Sequence, residues 1–431
     1  MDYLSVLVLV ISFVVLLILS VPVAWSIAIS SMLTMLVSIP ALPAFTTIAQ
    51  RMGTGLDSFA LLAIPFFILS GQLMNKGGIA HRLIAFAKTL VGALPGGLAL
   101  INVIAAMLMG SIAGSAMASA SAMGTILGPE MEKEGYSKEF GAAVNITSST
   151  TGLVIPPSNV LIVYSLASGG VSIAALFMAG YIPGILTGLF LMIVAGIWAK
   201  RKNYAVGKRS SLKEVAKTFI DAFPSLLLLV VVIGGIVAGI FTATEASAVA
   251  VLYTLILGFW YKEITIKSIP DILLESSVTS AIVMLLIGAS MAMSWAMSFE
   301  NIPQEISSAL LSVSDNKVVI LLIINLILLS VGVFMDMTPA VLIFTPIFLP
   351  IVTKLGIDPV HFGIIMVLNL SIGLCTPPVG SVLFVGVGIA NTTIQKVIKP
   401  LLPLFLAMIA ALFLITYFPQ LSMWLPGLFG L

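Results

Sequence analysis

The chain is a series of apolar runs cut by short polar stretches. Leu4 to Leu19, Val23 to Val37 and Ser58 to Met74 predict membrane helices, each approaching the ~20 residues that cross a bilayer. Asn75 to Lys88 is amphipathic and basic, the pattern of a helix lying in the interface. Leu98 to Met109 is apolar but short, and Gly110 to Ser121 follows with small residues, hydroxyls and no charge. A second short apolar run ends at Pro129, before the aqueous stretch Glu130 to Glu139. This pattern predicts a re-entrant hairpin of two half-length helices. One ordinary helix with close small-residue packing is the alternative. Phe140 to Ser165 is apolar but interrupted, and Ile173 to Ala199 spans.

The second half repeats the plan. Phe223 to Phe241, Ala246 to Trp260 and Ser277 to Met297 predict spans, and Ile302 to Val313 is amphipathic. Val318 to Leu329 and Ala340 to Leu349 flank a second small-residue tip, Ser330 to Pro339. Phe362 to Val387 is again interrupted, and Leu401 to Phe418 is the last span.

The two interruptions are the centre of the pattern. Gly152-Leu-Val-Ile-Pro-Pro157 and Gly373-Leu-Cys-Thr-Pro-Pro378 each set glycine and a double proline where a membrane helix should be continuous. Proline lacks the N–H a helix needs and pushes the preceding residue out of the helical region. One shift of 221 residues superposes the two, and also Pro129 on Pro350 and Gly135 on Gly356. Broken backbone inside a bilayer is tolerated only where protein or a cavity surrounds it. Broken helices at matching positions of two halves point to a transporter binding site.

Charge placement bears on topology. Threading the chain with Met1 outside puts all of the 19 lysines and arginines inside except Arg51, Lys317 and Lys354. That satisfies the positive-inside rule if both hairpins are re-entrant, or if neither is and the later spans are recounted to match. The first option gives two oppositely oriented halves. The expected fold is therefore an all-α polytopic membrane protein with two inverted-topology repeats. Residues 1–199 form the first, with its hairpin at about 96–131 and its broken helix at about 140–165. Residues 200–217 are a basic cytoplasmic loop. Residues 218–431 form the second, with its hairpin at about 317–352 and its broken helix at about 362–387.

Composition agrees: 431 residues are 60% hydrophobic and only 8% charged, against about 25% charge in a soluble domain. The single cysteine, Cys375, excludes an internal disulfide, and His81 and His361 lie too far apart to suggest a metal site. The N-terminus lacks the basic region and cleavage site of a signal peptide, so residues 1–20 are expected to stay as a first span. No His/Asp/Ser grouping or metal motif suggests hydrolysis in the membrane, and no nucleic-acid partner is expected.

Within the hydrocarbon only Glu245 and Asp336 are acidic, and no lysine or arginine lies deep. Thr242 or Thr244 is placed to cap the helix that Glu245 enters, a structural role. At the breaks, freed carbonyls and hydroxyls are hard oxygen ligands for a small cation, and half-helix N-termini suit an anion. The tips supply Ser111, Gly114, Ser115, Gly332, Asp336 and Thr338. The breaks supply Thr147, Ser148, Ser149, Thr150, Thr151, Ser158 and Asn159, and Asn369, Ser371, Thr376 and Ser381. Each half can thus build one cation site, with an anionic solute between them. Against this, many membrane Ser and Thr merely bond the carbonyl one turn back.

Several stretches together resemble one family. They are Met109 to Ala116 with Gly124, Gly152 to Ser158, Gly239 to Ala246, and Met335 to Pro339 with Gly373 to Pro378. Over essentially its whole length the chain is similar to the large membrane subunit of tripartite ATP-independent periplasmic (TRAP) transporters. The resemblance implies sodium-driven uptake of an organic acid across the bacterial inner membrane, with an elevator motion of hairpins and broken helices against the other spans. It implies two partners, a small four-helix membrane subunit on a separate polypeptide and a periplasmic substrate-binding protein. By position, Ser111, Gly114, Gly152, Ile155 and Pro157 would form one Na⁺ site, and Gly332, Gly373, Thr376 and Val379 its mirror. Ser115 and Asp336 would face the solute, with Ser149, Ser158 and Asn159 the further candidates. The family's first tip resembles S-G-S-A-x-A-D, where this chain has Ala113 and Ser119 in place of Ser and Asp. That departure inclines the expected solute toward a sialic acid rather than a C4-dicarboxylate. A stand-alone Na⁺- or H⁺-coupled carboxylate carrier and an ion channel are the other readings.

Overall fold

The computed structural model describes residues 3–207 and 209–431, without the side chains of Tyr3, Ala80 and residues 111–113. The described residues are helical with short links and contain no strand. In chain order the helices are α1 Tyr3–Ile18, α2 Val23–Ser38, α3 Ala41–Gly55, α4 Ala63–Lys76, α5 Ile79–Val91, α6 Gly97–Ala113, α7 Ala116–Lys133, α8 Lys138–Thr151, α9 Asn159–Ala167 and α10 Ile173–Arg201. Then follow α11 Leu212–Val237, α12 Ala243–Trp260, α13 Ile269–Phe299, α14 Ile302–Val313, α15 Lys317–Phe334, α16 Met337–Lys354, α17 Pro359–Gly373, α18 Ser381–Ile389, α19 Ile394–Tyr417 and α20 Gln420–Leu428. Eight segments among the described residues are long and apolar enough to cross a membrane.

The chain does turn back at both small-residue tips: α6 packs on α7 and α15 on α16, each pair joined by two residues. The arms are not half-length. They hold 17 and 18 residues in the first hairpin and 18 each in the second, about 26 Å of rise per arm. Glycine, serine and alanine lower the hydropathy there without ending the helix, and Pro129 sits inside α7 rather than at its end. Both broken helices stop where expected. α8 ends at Thr151 and α9 resumes at Asn159, while α17 ends at Gly373 and α18 begins at Ser381. The Pro156–Pro157 and Pro377–Pro378 peptide bonds are cis.

Two helices lie outside the expected set. α3 buries Ala44 and Ile48 against α13, and α20 buries Ser422 and Pro426 and packs on α10. The basic stretch is also shorter as a loop than expected. α10 runs through Arg201, and α11 begins at Leu212, capped by reciprocal Ser211 and Glu214 bonds that make Lys213 and Lys217 helical.

The helices form two groups that also meet, α13 packing on α16 and α4 on α6. α1 to α4 with α11 to α13 form a frame, through α1 on α2, α4 on α12 and α13 on α2, α3 and α4. The hairpins and broken helices form the other group, with α10 and α19 packed against α8 and α17. A glycine ridge explains the fit of α10. A Cβ on Gly180 would lie 2.2 Å from the Val154 carbonyl oxygen, and one on Gly184 2.3 Å from Ile155 Cγ1. Glycine spaced by four lets backbones approach this closely. At the charged end of α7, the Tyr136 ring packs on Tyr204 at a tilt of 30°, with ring centroids 4.3 Å apart. Burial, helped by the Glu134 carboxylate, pushes the Tyr136 phenol up to about 12.

Candidate functional site: hairpin tips against broken helices

The site begins with two glycine contacts. A Cβ on Gly110 would lie 2.7 Å from Gly152 Cα, and one on Gly373 2.5 Å from Gly332 Cα. Only glycine at these positions lets each hairpin tip rest on the backbone of its broken helix. Thus Gly152, Gly332 and Gly373 meet at tip–break contacts. The Ser111 side chain lies outside the described residues.

The breaks expose oxygen. Among the described residues, the carbonyls of Gly152, Ile155 and Pro157 receive no hydrogen bond, nor do those of Cys375, Pro377 and Pro378. Other break groups are internally satisfied. Ser158 Oγ donates to the Leu153 carbonyl at 2.6 Å and caps α9, and Thr376 Oγ1 donates to the Ile372 carbonyl at 2.8 Å. The surroundings of the two breaks differ: residues 152–158 are buried, whereas Pro378 and Val379 are exposed.

Most of the serine and threonine cluster on α8 takes the bland role. Thr147, Ser149, Thr150 and Thr151 donate to carbonyls three or four residues back. Ser148 donates to Asn102 Oδ1 at 3.0 Å. Its counterpart 221 residues on is Asn369, which donates to Asn325 Oδ1 at 2.7 Å and the Asn325 carbonyl at 3.0 Å. Both bonds tie the first hairpin arm to the broken helix.

Between the tips lies a cavity of about 390 Å³. It gathers Gly114 and Ser115 from the first tip, Asn159 from the head of α9, Asp336 and Thr338 from the second tip, and Ser381 from the head of α18. Gly114 is held at φ +60°, and a Cβ there would meet Asn159 Nδ2 at 2.5 Å. Ser115 and Asp336 stand 221 residues apart and occupy the same position, N-cap of the second arm. Ser115 Oγ accepts from the Ala118 amide at 3.3 Å; Asp336 is exposed. Ser149 and Ser158 do not line the cavity. Nor does Ser119, which is buried and donates to the Ala106 carbonyl at 3.4 Å. Thr242 caps α12 with Glu245 in its first turn, as expected: Thr242 Oγ1 accepts from the Glu245 amide at 3.2 Å, and Glu245 Oε2 accepts from the Thr242 amide at 2.8 Å.

The opposite wall comes from the frame. Gln72 and Asn75 of α4 and Thr279 of α13 line it, and sequence reasoning missed all three. The signal was present. Gln72 and Asn75 are three apart in an apolar helix and so share a face, and polar residues in a membrane helix mark a functional surface.

Comparison with known proteins gives this geometry a context. Residues 10–421 match the family model described as the tripartite ATP-independent periplasmic transporter, DctM component. The chain belongs to this family. It is 58% identical over 97% of its length to an uncharacterised protein, YgiK, of Salmonella typhimurium, covering 96% of that protein. It is 42% identical over 96% of its length to the isethionate TRAP transporter permease DctMQ of Oleidesulfovibrio alaskensis, of which it spans 65%. The large permease SiaM of the Vibrio cholerae sialic acid TRAP transporter is 39% identical, with 88% of this chain and 89% of that protein covered. In fold, this DctM-family permease is similar to the YdaH transporter of Alcanivorax borkumensis, with a TM-score of 0.65 at 14% identity over 91% of this chain and 90% of that one.

Proposed function

We propose that this permease is the membrane-spanning transport subunit of a sodium-coupled uptake system for an organic acid, residing in the bacterial inner membrane. The observation that carries the reading is the pairing of two hairpin tips with two broken helices around one cavity. Gly114, Gly152, Ile155 and Pro157, with Ser111, would hold one Na⁺, and Gly332, Gly373, Thr376 and Val379 the other. At the first break the unbonded carbonyls of Gly152, Ile155 and Pro157 support this, because carbonyl oxygen suits a small hard cation. At the second break the unbonded carbonyls are those of Cys375, Pro377 and Pro378, next to the named residues, while the Gly373 and Thr376 carbonyls accept from the Thr376 and Gly380 amides. Ser115, Asn159 and Asp336 would face the solute. The solute is an organic acid; relatives take isethionate and sialic acid by name.

The halves are inverted repeats on this reading, and transport is an elevator motion of the hairpin group against the frame. The division of the packing into two such groups supports it. The partners are a small four-helix membrane subunit and a periplasmic binding protein, and the DctMQ relative's name joins both membrane components. The test is uptake of labelled organic acids into proteoliposomes holding all three components. Uptake should require an inward sodium gradient. Thr376→Val removes one hydroxyl ligand and should raise the half-saturating sodium concentration several-fold while folded yield is kept. Unchanged sodium dependence would sink the assignment of Thr376.

A further inference from the structure

A polar stripe on the first broken helix leads away from its tip–break contact. Asn145, Ser148, Ser149 and Gly152 stand at i, i+3, i+4 and i+7 along α8 and its C-cap, so they share one face. That face meets the first hairpin. Asn145 Nδ2 donates to the Ala120 carbonyl at 2.7 Å and Ser148 Oγ to Asn102 Oδ1 at 3.0 Å, while Gly152 rests on Gly110. From Gly152 back to Asn145 is about 10 Å of helical rise. There the stripe reaches a second cavity, of about 250 Å³, lined by Asn102, Asn145, Gly124, Gly128 and Gly141, with Lys138 also on its wall. Asn145 is buried, yet its Oδ1 has no hydrogen-bond partner among the described residues. The mirror place in the second half is filled. A shift of 221 residues sets Thr345, Leu349, Phe362 and Met366 where Gly124, Gly128, Gly141 and Asn145 stand. Phe362 and Met366 are fully buried, and Thr345 Oγ1 donates to Met366 Sδ. The Tyr164 ring packs there too, since a Cβ on Gly363 would lie 2.4 Å from it.

We infer that this second cavity is the cytosolic outlet of the first cation site, and that the second site has no counterpart to it. This rests on the reading of the Gly110–Gly152 contact as part of that site and of residues 130–139 as cytosolic. A hard cation moves by exchanging one oxygen ligand for the next. Leaving the Gly152 carbonyl, the ion meets Ser148 Oγ, Asn102 Oδ1 and then Asn145 Oδ1, whose lone pairs no protein donor occupies. The Ser148–Asn102 bond spans the seam above the cavity, so the seam parts there when the ion leaves. No lysine or arginine lies along the stripe to repel it, and Lys138 is paired with Glu132 at 3.4 Å. At the second break the path is shut by Phe362 and Met366, and exchange occurs beside the exposed Pro378 and Val379 instead.

The experiment loads the full-length protein in lipid nanodiscs with radiolabelled sodium, dilutes it rapidly into sodium-free buffer and follows release. Asn145→Met copies the second half. It should slow the release of one of the two ions roughly fivefold or more, while the amount bound at saturation and the half-saturating concentration stay within about twofold. A merely structural role would move the binding instead. Gly128→Cys gives a second route that does not depend on that variant folding, because a Cβ there meets nothing within 4 Å. A maleimide attached to it should slow the same ion by a similar factor relative to the unlabelled variant. Unchanged release in the labelled protein overturns the outlet and leaves the cation sites standing. Equal slowing of both ions overturns its assignment to the first site. Absence of bound sodium in the unaltered protein overturns the cation sites, and the outlet with them.

Discussion

At the scale of single residues, glycine sets the geometry of the site. Gly180 is the sharpest case, since a Cβ there would fall 2.2 Å from the Val154 carbonyl oxygen, a backbone atom that cannot swing aside. Gly180→Ala must therefore move α10 or the first break. Overpacking of this kind costs about 1–3 kcal/mol. The matched control is Gly234→Ala in α11, where a Cβ meets nothing within 4 Å. There alanine is neutral or gains up to about 1 kcal/mol of helix propensity. Melting of the two variants in detergent should separate them by several degrees, with Gly180→Ala the lower. Equal melting temperatures would show that the break is not seated on α10 as described. The same contact explains why a sequence can place the break yet leave its wall unnamed. Pro156 and Pro157 announce the interruption by their own chemistry, whereas Gly180 is one of many glycines until the fold brings Val154 to it.

At the scale of elements, equivalent contacts recur with different residues. Asn369 ties α17 to α15 through Asn325, and Asn325 Nδ2 reaches Thr416 Oγ1 at 3.3 Å. In the first half the same tie between arm and broken helix is a serine to an asparagine. Along the second arms, a Cβ on Gly124 would meet Asn145 Nδ2 at 2.8 Å, while 221 residues on Thr345 Oγ1 donates to Met366 Sδ at 3.2 Å. Such exchanges hide the repeat from residue-by-residue comparison and keep the packing. The Asn325–Asn369 tie is testable by a double-mutant cycle with Asn325→Leu, Asn369→Leu and the pair. Coupling of roughly 0.5–2 kcal/mol is expected, the range for hydrogen bonds between membrane helices. Additive losses in unfolding measurements would mean that the two amides act separately. Elements defined by strong local signals were legible: both breaks, both tips and the amphipathic α5 and α14. α3 was not. Its apolar stripe is narrow and Pro40, Pro43, Gln50 and Arg51 give it the look of a loop, so its helix rests on packing against α13 and α2. The candidate site was legible in its moving half, where broken backbone marks it, and silent in its frame wall.

At the scale of the whole molecule, the remaining question is orientation. The shift of 221 residues carries Lys133 onto Lys354. Each is the last residue of a second hairpin arm, α7 and α16, and each is exposed. If the halves run in opposite directions, these two equivalent residues lie on opposite sides of the membrane. A direct duplication would put them on the same side. Charge placement favours opposite sides, because Lys133 sits in a basic neighbourhood with Lys138 and the 200–217 stretch, and Lys354 does not. The native chain suits the experiment, since its one cysteine, Cys375, is buried with its thiol bonded to the Ile372 carbonyl. Lys133→Cys and Lys354→Cys can each be treated with a membrane-impermeant maleimide in spheroplasts, before and after permeabilisation. Lys354→Cys should be labelled at once and Lys133→Cys only after the membrane is opened. Labelling of both from the same side would remove the inverted repeat. With it would go the physical basis for alternating access, because only oppositely threaded halves let one cavity present mirrored walls to the two sides in turn.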